Sequence, residues 1–276
     1  MQNGCCRDGG DNEMLASILI ATMGRHRLDD VVRVYLRQQG EVEVVVIVDD
    51  PSVSDADVLP EFRSDQRLKV VFNDANLGVT RSLNKGLDVC RGDLVLRNDD
   101  DDMPRADRVA KTIAFFNDHP ACDLVYSFAQ GINGDAGRTW IISGPTADAD
   151  IKARLRKRNF IVHSSIAFRT HRLKQLGGYD ATFRYAQDYD LYLRCIRAGV
   201  VFGCIPEVLV EHAYHQESIT VKRRRRQILC SFAARLIHDA EASGEDEYWR
   251  TILSYLKLLA IPNTMRTLRR RLGFGR

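Results

Sequence analysis

The residues Arg97-Asn98-Asp99-Asp100-Asp101-Asp102 follow the apolar stretch Leu94-Val95-Leu96 without a break. Four neighbouring carboxylates repel one another and cannot all stay ionised in a dry interior. Something must offset them. A strand would point Asp99 and Asp101 to the same side, because side chains alternate between faces. Two same-side carboxylates at a strand end suit Mg²⁺ or Mn²⁺, hard cations that take oxygen ligands and share them with substrate phosphate. An acidic run alone is usually a solvated loop. Directly behind an apolar strand it falls where open α/β sheets bind their ligands.

Other groups offer chemistry at lower specificity. Asp49 and Asp50 close a run of β-branched residues and precede Pro51. An ionised carboxylate only accepts hydrogen bonds, so either could hold a nucleobase or ribose; either could equally brace the turn. Asp188 sits at the start of a helical pattern, where the helix dipole favours an anion. A carboxylate kept ionised there can act as general base toward an alcohol, or simply cap the helix, a role for which Asp190 competes. His163 reads as a core histidine. His212 and His215 lie three apart and admit a metal role, although isolated histidines are more often structural. A Walker loop is missing, as is a GxGxxG after the first strand, so ATPase and dinucleotide chemistry lack their main support.

These groups require a frame. Residues 15–21, 42–48, 68–72, 94–96 and 124–128 read as buried strands. Helical spacing recurs at Leu28, Val31, Val32, Tyr35 and Leu36, over 80–89, and at Val109, Ile113 and Phe116. Strands apolar throughout, alternating with helices, predict an α/β fold with a mostly parallel sheet covered on both faces. The polar clusters 22–25, 49–52, 76–78 and 99–102 each follow a strand and should share one sheet edge. Further along, 187–198 reads as a helix stopped by Gly199, 200–205 and 208–213 as short strands, and 222–242 and 247–259 as helices.

The chain has 276 residues, 45% hydrophobic and 28% charged, an ordinary globular composition. Its net charge of +3 is unevenly spread, since residues 222–276 carry 13 Lys and Arg against 5 Asp and Glu. That asymmetry predicts a catalytic body over 14–220 and a basic helical tail over 221–276. Residues 1–13 read as a disordered leader. The seven cysteines show no CxxC pair and read as reduced. No run of 18 apolar residues and no signal-peptide core occur in the sequence, so the expected location is cytoplasmic, at most peripheral on the inner face of the membrane.

The order of the motifs resembles that of the family 2 glycosyltransferases, which have a GT-A fold. It runs from Thr22 behind the first strand through Val-Val-Val-Ile-Val-Asp49-Asp50, Asn76-Leu-Gly78, Asn84-Lys-Gly86-Leu, the acidic run and Arg108. It continues through His163-Ser-Ser, Gly177-Gly178-Tyr179-Asp180 and Gln187-Asp188-Tyr189-Asp190. The likeness covers about residues 15–220. It implies a Rossmann-type sandwich and inverting sugar transfer from a nucleotide-diphosphate sugar with Mg²⁺ or Mn²⁺. The implied acceptor is a glycan or lipid-linked glycan of surface polysaccharide synthesis. Thr22 and Asp49 or Asp50 match positions that cradle the nucleoside, and Asp99-x-Asp101 matches the DxD motif for ribose and metal–diphosphate. Asp188 matches the catalytic base, and His215 falls near the diphosphate as a metal ligand. The resemblance extends the donor-binding set to Arg25, Asn76, Gly78, Asn84 and Arg108. Ala21-Thr22-Met23-Gly24 departs from the usual Pro-Thr-Tyr-Asn and lacks an aromatic for the base. Two other classes stay open at this point. A nucleotidyltransferase or nucleotide-sugar-binding protein would show a basic glycine loop, of which Met23-Gly24-Arg25-His26-Arg27 is a poor version. A protein led by its basic tail would bind an anionic membrane surface or, less expectedly, nucleic acid.

Overall fold

The computed structural model describes residues 14–24, 27–133, 137–214, 224–239, 252–253 and 255–256. The strands are β1 (Ala16–Thr22), β2 (Val42–Val48), β3 (Leu68–Phe72), β4 (Leu94–Asp99), β5 (Met103–Pro104), β6 (Leu124–Asn133), β7 (Arg138–Ile142), β8 (Ile166–Arg169) and β9 (Phe202–Tyr214). The helices are α1 (Leu28–Leu36), α2 (Val79–Val89), α3 (Arg108–Asp118), α4 (Asp148–Lys157), α5 (Thr170–Gln175), α6 (Gln187–Arg197) and α7 (Arg224–Asp239). The strands form one sheet in the order β3-β2-β1-β4-β8-β6-β9-β5, with β7 paired to β6. The half from β3 to β4 is parallel. β8 enters antiparallel between β4 and β6, and β9 returns parallel along β6.

Every residue of β2 is buried, and its side chains divide between two cores. Val44, Val46 and Val48 join Ile18, Ile20 and the apolar face of α1 on one side. Val45 and Ile47 join Leu19 and the apolar residues of α2 and α6 on the other. This period-2 division explains why the strands read as unbroken apolar runs: both faces are covered. Glu43, the charged exception in β2, accepts from the Ser17 hydroxyl at 2.6 Å and the Arg91 guanidinium at 2.8 Å. Gly86 lets α2 approach closely, since a Cβ there would lie 2.2 Å from Leu19 Cδ1.

Several elements differ from the sequence expectation. Residues 200–213 form one strand rather than two. Ile205 pairs with Ser127 and Val208 with Phe128, so Pro206 and Glu207 bulge out between them, exposed. Proline cannot donate to the ladder, and the bulge absorbs it without ending the strand. The exposed arm β7 and helix α4, with only Ile151 and Leu155 buried, were not expected. The first tail helix, α7, is part of the body. Ala234 packs with Phe183, Ala186, Tyr189 and Leu193, and His238 Nε2 lies 2.9 Å from Asp190 Oδ1.

Candidate active site

The parallel register brings the predicted polar clusters to one edge. Thr22 pairs with Val48, and Ala21 with Asp99, so β1, β2 and β4 finish level. Behind β2, Asp49 is buried and fully engaged. It accepts from Asn73 Nδ2 at 2.7 Å and from the backbone N–H groups of Leu77 and Gly78, each at 2.8 Å. It therefore folds the 73–78 loop over the strand ends. Gly78 has φ +82°, which favours glycine, and starts α2. Asn76 Nδ2 donates to the Asp49 carbonyl at 3.0 Å. Asp50 is half-buried, and hydrogen bonds from the Ser52 hydroxyl and N–H hold its carboxyl below the ordinary range. The two adjacent aspartates thus differ: Asp49 builds the crevice wall, and Asp50, half-buried, braces the turn through Ser52.

The acidic run leaves β4 as a turn, yet its side chains keep the alternation expected of a strand. Asp100 and Asp102 are buried, whereas Asp99 and Asp101 are half-buried. The inward pair is met by protein. Thr22 Oγ1 donates to Asp100 at 2.5 Å, and Asp102 takes His212 Nδ1 at 2.8 Å and the Ala213 N–H at 2.9 Å. Asp99 pairs with Arg97 Nη2 at 2.5 Å and accepts from Ser164 Oγ at 2.9 Å. Burial alone would raise the Asp99 pKa; the charge of Arg97 and its hydrogen bonds outweigh that and hold it near about 2. Carboxylate oxygens of Asp99, Asp101 and Asp102 all lie within 4.8 Å of one another. An all-oxygen, anionic donor set of this kind fits a hard divalent cation. Asp99 and Asp101 are the half-buried members that would hold it; both oxygens of Asp102 already face His212.

Asp188 opens α6 in its first turn, and its Oδ2 accepts from Asn159 Nδ2 at 2.7 Å. Removal from water holds its carboxyl above the usual range. The preceding Ala186 has φ +58°, a left-handed backbone that a side-chain-bearing residue adopts only at a cost. Such strain persists where surrounding contacts impose it, often at functional positions. His163 Nε2 meets the Tyr179 hydroxyl at 2.9 Å, and burial together with the Arg97 charge holds the ring neutral.

Two expected ligand contacts are built differently. Arg108 is 2% exposed; its guanidinium donates to Tyr35 and Asn98 side chains and to the carbonyls of Arg97 and Ile166. It clamps the base of β4 from below. Asn84 donates to the Tyr179 carbonyl at 2.7 Å and accepts the Tyr179 N–H at 2.8 Å, which locks the 177–180 turn onto α2. Both side chains are spent on the protein. Arg25 and His215 lie outside the described residues. Ser164, Asn159 and Arg97 carry no individual signal in the sequence, and nothing there pairs His212 with Asp102, 110 residues away. The strand period gave one signal, since Arg97 and Asp99 are two apart and share a face.

Residues 17–177 match the model of Glycosyl transferase family 2. A UDP-Gal:alpha-D-GlcNAc-diphosphoundecaprenol beta-1,3-galactosyltransferase of Escherichia coli is 28% identical over 183 residues, 66% of either chain. The amylovoran biosynthesis glycosyltransferase AmsE of Erwinia amylovora is 30% identical over 183 residues, 66% of this chain and 68% of its own. The fold resembles crystal structures of S. aureus TarS 1-349. The complex with UDP-GlcNAc superposes with a TM-score of 0.66 at 16% identity, covering 88% of this chain and 71% of that one.

Proposed function

The chain belongs to glycosyl transferase family 2 and is a glycosyltransferase, and from that premise we propose that it inverts the anomeric centre of a nucleotide-diphosphate sugar in passing the sugar to a hydroxyl of a glycan or lipid-linked glycan. The observation that carries the reading is the carboxylate cluster of Asp99, Asp101 and Asp102 at the sheet edge, with oxygens within 4.8 Å. The galactosyltransferase relative is named for UDP-Gal and a diphosphoundecaprenol acceptor, and the TarS structure holds UDP-GlcNAc. A UDP-sugar is therefore the first donor to test. With the family established, the nucleotidyltransferase alternative drops out.

Asp99 and Asp101 would hold a Mg²⁺ or Mn²⁺ ion, which, when bound, offsets charge developing on the leaving diphosphate. The chain's own residues do the rest. Asp50, Thr22 and the loop held by Asp49 line the nucleoside side. Ser164 and Arg97 fix the Asp99 carboxylate in orientation and keep it ionised. Asp188 takes the proton of the acceptor hydroxyl as its oxygen bonds to C1. The C1–O bond to the diphosphate breaks on the opposite face, and the nucleoside diphosphate leaves with the electron pair. Asn159 holds the Asp188 carboxylate in place for that transfer. The basic helix α7, packed on the body, shows exposed Arg225, Arg226, Leu229 and Ile237. That mixed face supports docking on an anionic membrane, where a lipid-linked acceptor would be met.

The test is Asp101→Asn. Hydrolysis and transfer of UDP-sugars, stimulated by Mn²⁺ in the wild type, should fall at least a hundredfold with an unchanged circular dichroism spectrum. Full activity in this variant, or in wild type with EDTA, refutes the reading.

A further inference from the structure

The arm β7 presents an exposed aromatic ring whose placement the transfer machinery described so far does not use. Trp140, 40% exposed, pairs across β6 with Gly131, and Gly131 pairs on its other side with His212 of β9. Cross-strand partners share a face, so Trp140, Gly131 and His212 form one row. Gly131 has no side chain, and a Cβ there would lie 2.3 Å from the indole. The ring therefore lies across β6 toward β9. It meets Tyr214 with centroids 4.9 Å apart, and Tyr214 meets the His212 ring at 4.7 Å. His212 in turn bonds Asp102 of the acidic cluster at 2.8 Å. A continuous line of contacts thus joins the carboxylates to an open indole.

The opposite end of the arm is anchored to the same site. Ile142, on the Trp140 face, packs with Ala129, Val162 and Val210. Val162 leads into His163 and Ser164, and Ser164 bonds Asp99. Trp140 lies two positions along the strand from Ile142, about 7 Å, so both ends of this face of the arm connect to the cluster through packed side chains. The nucleoside side of the crevice is built on β1, β2 and β4. The arm pairs with β6 on the edge that β8 also uses, opposite β9, so it lies across β4 from β1 and β2.

We propose that Trp140, backed by Tyr214, is the stacking platform for a pyranose ring of the acceptor, one subsite of the transfer reaction. This rests on the glycosyltransferase reading above. The occupant follows from the patch. A pyranose has an apolar face of C–H groups and a rim of hydroxyls, and matches an aromatic face with polar groups at its edge. Trp140 is bordered by the Tyr214 ring, and behind it stand the polar His212 and its partner Asp102. A lipid chain would need a broader apolar surface, but the neighbouring Ile141 lies on the other face of the strand and Ile142 is packed away. Because the arm is on the side away from the nucleoside, the ring it meets is the acceptor's.

The sequence has two tryptophans, so Trp249→Phe leaves Trp140 as the sole indole. Emission of that full-length variant is followed while methyl pyranosides of glucose, galactose, mannose and N-acetylglucosamine are added with UDP and Mn²⁺. At least one should change the emission saturably, and Gly131→Ala, which displaces the indole, should raise its half-saturation about tenfold. No response to any pyranoside, an unshifted curve in Gly131→Ala, or a response only to an intact UDP-sugar overturns the proposal. Should Gly131→Ala misfold, Trp140→Tyr and Trp140→Ser are compared by calorimetric titration with the same pyranosides. Tyrosine should keep the affinity and serine should lose it, and equal affinities overturn the platform. Failure of wild type to cleave any nucleotide sugar would count against the transfer reading, whereas these titrations judge the platform separately.

Discussion

Arg108 stands in the motif order as a donor-binding residue, but its surroundings assign it to the foundation of the site, and the two roles part under one substitution. Arg108→Lys keeps the charge and loses the planar fork. Nη1 serves the Tyr35 hydroxyl and Asn98 Oδ1, and Nη2 serves the carbonyls of Arg97 at 2.9 Å and Ile166 at 3.3 Å. One ammonium on a flexible stem cannot span that set, and at least two acceptors are left dry at a position 2% exposed. Each unsatisfied buried polar group costs about 1–3 kcal/mol, and disrupting a buried charge network costs about 3–5 kcal/mol. At roughly 2–4 °C per kcal/mol for a domain of this size, the midpoint should fall by about 6–20 °C.

Thermal denaturation followed by circular dichroism reads that fall. Donor KM, measured well below the lowered midpoint, should stay near the wild-type value, with activity lost steeply on warming. Asn98 transmits the damage, since its amide also bonds the backbone carbonyls of Asp99 and Asp102. Tyr35→Phe removes only one hydroxyl from the network and should cost about 1 kcal/mol. The double variant should lose less than the sum, because the two share Asn98. An unchanged midpoint with a raised donor KM in Arg108→Lys would refute this assignment and return Arg108 to the ligand.

Two further outcomes follow. Because removal from water raises the Asp188 pKa above its unfolded value, the folded state binds the extra proton between those two values, and stability falls as pH rises through that window. Asp188→Asn should therefore be at least as stable as wild type at neutral pH, lose that advantage below the window, and lose transfer by about 10²–10⁴-fold with donor affinity kept; wild-type transfer should decline as pH drops through the same raised pKa, and loss of donor affinity equal to the loss of turnover counts against the base. Full-length protein should sediment with anionic phospholipid vesicles at low salt and be released by high salt, and Arg225→Glu with Arg226→Glu should weaken that; equal sedimentation with neutral vesicles sets the membrane face aside.

The parallel half of the fold was legible because both faces of its strands are covered. Val42–Val48 and Leu94–Leu96 read as strands from composition alone, and Leu28, Val31, Val32 and Tyr35 announced α1 through their spacing. The register edge followed, since level parallel strands place what comes after them together. The second half was less legible for physical reasons. Four of the five residues of β7 are exposed, so no apolar period marks it, and α4 buries just Ile151 and Leu155. Within the site, residue types were visible but partners were not. Asp49 and Asp50 are equivalent in sequence; the Asn73 amide and the Leu77 and Gly78 N–H groups, 24 or more positions away, make Asp49 the wall. Asn84 and Arg108 carry donor groups that suit a ligand equally well, and distant acceptors on Tyr179 and Ile166 claim them.

The acidic run resolves its own repulsion by dividing in two. Asp100 and Asp102 turn inward, where a hydroxyl, an imidazole and a backbone N–H meet them. Arg97 lies beneath, 2% exposed, with Nη2 on Asp99 and its Nε and Nη1 facing no acceptor among the described residues. A buried guanidinium so sparsely bonded is costly by itself. It is tolerated because the carboxylates above it share its field, and it keeps Asp99 ionised despite burial. One arginine cannot neutralise four carboxylates. The half-buried pair, Asp99 and Asp101, therefore carries the remaining negative charge at the mouth of the crevice, where water and a cation can reach it. Replacing Arg97 with Met would strip the only full positive charge paired to Asp99 in the described structure, and the same logic that makes the cluster attract a divalent ion would then make it repel itself.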